Sequence, residues 1–155
     1  MIIFIDKIIK SVQGKYRVIM NQLSHLIYVS SATELIPEEN LSDLLSHARS
    51  KNTEHNITGM LLYHDGSIMQ VIEGQTGDVD QLLTNLQSDP RHKGLIVLLK
   101  EPIDSRFFSE WSMSYKNISG NIVDGFSDFL LSGSLAENNK FLVSKAKNLL
   151  LNFRG

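Results

Sequence analysis

The chain contains no cysteine. That absence excludes a disulfide framework, a thiolate zinc site, a cysteine nucleophile and a flavin bound through sulfur. It leaves the redox compartment open. No apolar run approaches the roughly 18 residues needed to span a bilayer, so no integral membrane segment is expected. The opening MIIFIDKIIK is interrupted by Asp6, Lys7 and Lys10 and has no basic region ahead of it. A secretory signal shows the reverse order, and the cytoplasm is the expected location. Charge of one sign is also lacking. A net charge of −2 gives no basic footprint for nucleic acid. The five histidines (His25, His47, His55, His64 and His92) show no metal-ligand spacing. No GxSxG, P-loop or GxGxxG motif occurs. A conventional enzyme has little to stand on.

What is present suits one folded domain. The chain has 155 residues, 42% hydrophobic and 21% charged, which is ordinary for a globular protein. Residues 1–19 stand apart. Four basic residues (Lys7, Lys10, Lys15, Arg17) against Asp6 give +3, which leaves −5 for the remainder of a chain whose total is −2. Ile2, Ile5, Ile9 and Val12 fall at roughly helical spacing, so the segment reads either as a loose extension or as a short amphipathic helix lying on a partner or membrane surface.

From residue 23 the pattern becomes regular. His25–Ser30 is a β-prone apolar run. Leu41, Leu44, Leu45 and Ala48 recur at helical spacing, with Asn40 as a candidate N-cap and Asp43 three residues on. Ile57–His64 and Ser67–Ile72 read as strands joined at Asp65-Gly66, a dipeptide that tolerates the positive φ of a tight hairpin. Val79, Leu82, Leu83 and Leu86 predict a second helix, ended by Asp89-Pro90. Leu95–Lys100 and Glu110–Lys116 read as the last strands. The order β-α-β-β-α-β-β predicts an α+β, ferredoxin-like sandwich with two helices over one sheet face. Beyond Gly120, Ile122, Val123, Phe126, Phe129 and Leu130 form one apolar stripe, and Leu142, Ala146, Leu149, Leu150 and Phe153 another, parted at Gly133. They predict two additional C-terminal helices covering the other sheet face or a neighbouring subunit. The domain plan is therefore an extension over 1–19, a core over 20–118 and a helical pair over 119–155.

The residues that stand out are polar ones inside apolar strands. Tyr28 lies in LIYVS and Gln70 in IMQVIEG. A glutamine in a central strand must satisfy its amide or cost the fold about 1–3 kcal/mol. On an edge strand it would simply face water. Asn52, near a helix end, reads as a C-terminal cap or a ligand contact. Trp111 and Met113 alternate to one side of a strand, where core packing is the ordinary role. Arg91 and His92 follow Pro90, where a solvated turn is the ordinary reading.

These residues are not independent. Ser46-x-Ala48-Arg49-x-x-Asn52, Ile57-Thr58-Gly59, Gln70-x-x-Glu73-Gly74, Asp89-Pro90-Arg91-His92 and Trp111-Ser112-Met113 occur in that order. Together they closely resemble the BLUF family, the sensors of blue light using flavin, over about residues 23–116. The resemblance implies FAD, or FMN, held without a covalent link between the two helices of a ferredoxin-like domain. It gives Tyr28 and Gln70 the photochemical roles, with the phenol as transient donor and the amide as the group that changes its hydrogen bonds by rotation or tautomerisation. It places Asn52 at the polar edge of the ring and Arg91 and His92 at the ribityl and phosphate side. Arg49 matches as well, as a ligand contact or a support of the helix, and Trp111 and Met113 match the pair that carries the signal outward. Lys51 departs from the pattern, since many relatives have asparagine or histidine there. It reads either as a cation near the flavin carbonyl or as a side chain snorkelling to water.

Some family members carry a fused cyclase or cyclic-dinucleotide phosphodiesterase. Too few residues follow the sensor core here for a catalytic domain. The chain therefore resembles the short stand-alone members, and the expected output is altered protein–protein contact, in a homo-oligomer or with a downstream effector. Two rival readings fare worse. An acylphosphatase-like hydrolase needs an arginine-bearing loop after the first strand, where this chain has Ser30-Ser31-Ala32-Thr33. A flavin-free ferredoxin-like interaction module has no use for Tyr28, Gln70 and Asn52 together.

Overall fold

The computed structural model describes residues 12–18, 21–110, 112–117 and 148–150. Its elements are β1 (Leu23–Ala32), α1 (Glu38–Glu54), β2 (Thr58–His64), β3 (Ser67–Gln75), α2 (Thr76–Gln87), β4 (His92–Pro102) and β5 (Ser114–Asn117). The strands form one sheet in the order β4-β1-β3-β2-β5. All neighbours are antiparallel except β2 and β5. The α+β, ferredoxin-like sandwich expected from the sequence is the fold found.

Successive strand residues face opposite sides, and β1 and β3 are buried along nearly their whole length. A sheet covered on both faces requires this. One face carries Leu26, Tyr28, Ile68 and Ile72, packed with Val79, Leu82, Leu83 and Leu86 of α2. The other carries Ile27, Val29, Met60, Leu62, Met69 and Val71, packed with Leu149 and Leu150 from the C-terminal region. Asp65 and Gly66 both take positive φ (45° and 86°), the geometry of a two-residue hairpin. Gly59 has a different constraint. A Cβ there would stand 2.1 Å from the Val71 carbonyl oxygen, so β2 and β3 approach too closely for any side chain.

Strands β1, β3 and β4 run beyond the expected His25–Ser30, Ser67–Ile72 and Leu95–Lys100, so His92 begins β4 rather than lying in a turn, and two further boundaries fall elsewhere. Helix α1 starts at Glu38 with Pro37 in the capping position, not at Asn40. Pro37 sits at φ −60° and ψ 140°, so its ring pre-sets the entry, and the Asn40 amide already bonds the Pro37 carbonyl at 3.0 Å. The final strand is Ser114–Asn117, not Glu110–Lys116. The backbone carbonyls of Ser112 and Met113 accept instead from side chains of α1, from Asn52 Nδ2 at 3.0 Å and Arg49 Nε at 2.9 Å, and do not enter the ladder. Residues 12–18 are helical and exposed. Trp111, the stripe from Ile122 to Leu130, and Leu142, Ala146 and Phe153 lie outside the described residues. Among the described residues no helix is long and apolar enough to cross a membrane.

Candidate functional site

Tyr28 and Gln70 are cross-strand partners on β1 and β3, so their side chains leave the sheet side by side on the α2 face. β3 lies between β1 and β2, and Gln70 is only 7% exposed. The edge-strand alternative is thereby removed. The Tyr28 hydroxyl donates to Gln70 Oε1. Gln70 Nε2 in turn donates to Met113 Sδ at 3.1 Å. Thioether sulfur is a weak acceptor, so the amide is held on one side firmly and on the other lightly. Burial pushes the Tyr28 phenol well above its ordinary range, and the Asp89 carboxylate adds to the effect.

Helix α1 closes the site from another side. Asn52 is buried and donates through Nδ2 to the Ser112 carbonyl at 3.0 Å. Its Oδ1 takes no hydrogen bond from any described residue. Asn52 is therefore not a C-terminal cap; that position falls to His55. One turn earlier, Arg49 Nε donates to the Met113 carbonyl at 2.9 Å. Arg49 and Asn52 thus fix both backbone carbonyls of the Ser112-Met113 pair. Consecutive helix residues point about 100° apart, and Lys51 accordingly faces outward and is exposed.

On the β4 side of Tyr28, His92 Nδ1 lies 3.0 Å from Ser30 Oγ, and its ring meets Tyr28 edge-on with centroids 6.5 Å apart. Burial lowers the His92 pKa. Arg91 is exposed, and its guanidinium makes a two-pronged contact with Asp89, at 2.6 Å from NH2 to Oδ2 and 2.9 Å from Nε to Oδ1. The Arg91 hydrogen bond is the main reason the Asp89 carboxyl falls to about 2.

These positions share one chemistry. A phenol and two carboxamides, all buried, converge on one sheet face between β1, β3 and α1. They present both donors and acceptors, and among the described residues one carbonyl oxygen, Asn52 Oδ1, takes no hydrogen bond. A flat heteroaromatic ring with alternating N–H, C=O and ring nitrogen along its edge matches that set.

A family model described as sensors of blue-light using FAD matches residues 23–114. The chain belongs to the BLUF family. Photoactivated adenylate cyclase subunit alpha of Euglena gracilis is 34% identical over 137 residues, covering 84% of this chain and 13% of the relative. The chain thus spans a small fraction of the length of the curated relatives it matches. The dark-state structure of BlrB, a BLUF protein, is similar with a TM-score of 0.67 and 26% identity, over 86% of this chain and 98% of that one. Klebsiella pneumoniae BlrP1, solved with FMN and cyclic diGMP, is 33% identical with a TM-score of 0.58, over 62% of this chain and 26% of that one.

This BLUF domain is a blue-light sensor that uses FAD, the family's chromophore. Its fold brings together Tyr28, Gln70, Met113, Asn52 and Arg49, and sets Ser30 and His92 beside them. Lys51 stays apart from the cluster, and Arg91 is engaged with Asp89. Trp111 lies outside the described residues. Met113 was legible as a site residue, but two roles were not: the backbone carbonyls of Ser112 and Met113 anchor that segment to α1, and Asp89 acts through its charge. Glu73 was legible as a member of a motif, but its role was not. A carboxylate alternating in phase with Met69 and Val71 is the signal that marks it as turned inward.

Proposed function

We propose that light is registered as a reversal of the Gln70 side-chain amide between Tyr28 and Met113. The carrying observation is that one buried carboxamide accepts from the phenol and donates to the thioether. Bound FAD supplies a chromophore that absorbs blue light and, once excited, draws an electron and a proton. Tyr28 is the donor suited to that demand, since its hydroxyl proton already lies on a hydrogen bond to Gln70 Oε1. Once the electron and proton have returned to Tyr28, the amide alone is altered. With its ends exchanged, Oε1 faces Met113 Sδ. Two acceptors then stand in contact, and the hold on Met113 is lost.

Asn52 Oδ1 is placed to accept from the polar edge of the ring, while its Nδ2 keeps Ser112 in position. Arg49 steadies the same segment from its carbonyl side. His92 and Arg91 serve the ribityl and phosphate side, where Arg91 trades Asp89 for phosphate oxygen. Lys51 snorkels to water and leaves the absorption untouched. Trp111 is the second member of the relay pair. FMN satisfies the same ring contacts as FAD, because the two share the isoalloxazine.

The output is altered affinity for another protein, within a homo-oligomer or toward an effector, with no catalytic step of its own. Absorption spectra of the purified protein before and after blue light test the reading. The parent is expected to show a small reversible red shift that Tyr28→Phe and Gln70→Leu both lack. A colourless protein, or a shift that survives both substitutions, overturns it.

A further inference from the structure

The face of the sheet opposite Tyr28 and Gln70 holds a second polar cluster that photochemistry does not use. Glu73 is fully buried there and accepts from the amides of Phe107 and Phe108, at 2.9 Å each, and from the Thr58 hydroxyl at 3.3 Å. Arg106 reinforces the same attachment without touching that carboxylate among its described contacts. Its NH1 donates to Thr58 Oγ1 at 2.8 Å and to the Glu73 carbonyl at 2.9 Å, and its NH2 donates to the Asn56 carbonyl at 2.6 Å. Phe107 lies against the His25 ring, with centroids 5.7 Å apart. Residues 106–108 are therefore clamped to β2 and β3 by hydrogen bonds from side chains and backbone alike.

This clamp has a position that matters. Phe108 is buried in the far-face cluster that includes Leu149 and Leu150. Five residues further along, Met113 touches Gln70 on the near face. So short a tether reaches at most about 18 Å when fully extended. One end is gripped by Arg49 and Asn52 and the other by Glu73 and Arg106. A slack connection would absorb a displacement of Met113, whereas one held at the far end passes it to whatever the held residue packs against.

We infer that Glu73, Thr58 and Arg106 are positioning residues of the light response. They form a clamp that hands movement of Met113 through Phe108 to Leu149 and Leu150 on the opposite side of the sheet. The inference rests on the Gln70–Met113 reading above. It assigns work to residues that touch neither the chromophore site nor the described tail.

The test uses the full chain loaded with FAD and compares backbone hydrogen exchange at residues 148–150 in the dark and under blue light. In the parent, illumination is expected to change exchange there at least fivefold. Arg106→Ala is expected to keep the red shift and its amplitude while losing most of the light-minus-dark difference, and Arg106→Lys to restore part of it. A purely structural role would raise exchange equally in dark and light. If Arg106→Ala fails to fold, Thr58→Val removes the relaying hydroxyl at nearly unchanged shape and reads the same difference. A full tail response in the folded variants overturns the inference, as does a parent that photoconverts with no tail response. A parent without a red shift instead overturns the Gln70 reading, so the two failures are distinguishable.

Discussion

Tyr28 is fully buried, and its phenol is held above the ordinary value of 10.0 first by desolvation and then by the Asp89 carboxylate. The sign follows from linkage. The unfolded chain loses this proton near the ordinary value while the folded protein keeps it, so the stabilising contribution is intact below pH 10.0 and falls away as the pH rises beyond it. An ultraviolet titration should show that the Tyr28 phenol does not ionise through the ordinary phenol range until the protein unfolds. Tyr28→Phe should remove that late-ionising phenol. Lys51 gives a contrasting prediction. It is exposed one residue before the buried Asn52, so Lys51→Asn should leave both the absorption maximum and the dark recovery rate unchanged. A shifted spectrum would place its ammonium near the ring after all. Tyr28 and Gln70 were legible in the sequence because polar side chains inside apolar strands demand partners. The identity of those partners was not, since Tyr28 and Gln70 are 42 residues apart and Met113 a further 43.

Among the elements, the β2–β3 hairpin and α2 were the most legible, because Asp65-Gly66 and the Val79–Leu86 spacing each satisfy a local rule. The entry to α1 and the extent of β5 were not. Pro37 set the first by its own ring. The second was set by side chains from α1, since Asn52 and Arg49 take the carbonyls of Ser112 and Met113. Sequence spacing cannot reveal such a competitor. Gly59 belongs at this scale too. Gly59→Ala should press its methyl into the Val71 carbonyl, which is backbone and has little room to yield. A loss of about 2–3 kcal/mol in urea unfolding is expected, with β2 and β3 forced apart. An unchanged midpoint would mean the strands are not so close.

At the scale of the molecule, the sheet separates two faces with different work. The near face holds the phenol and carboxamides with α1 and α2, and the far face holds Leu149 and Leu150 against the apolar side of β1, β2 and β3. If output is a changed protein contact, light scattering of the FAD-loaded chain should give different masses in dark and blue light, with the difference absent in Gln70→Leu. Equal masses, with no partner recovered in either state, would remove that output. The amino-acid order alone determined the α+β class and the helix and strand sequence, because periodicity and turn chemistry are local, and its resemblance to the BLUF family set Tyr28, Asn52 and Gln70 together. Only the folded arrangement decided that Gln70 bridges Tyr28 and Met113, that Arg49 and Asn52 hold the segment before β5, and that Glu73 grips it from behind. Those contacts join residues brought together by strand pairing across the sheet, and such pairing leaves no mark on spacing along the chain.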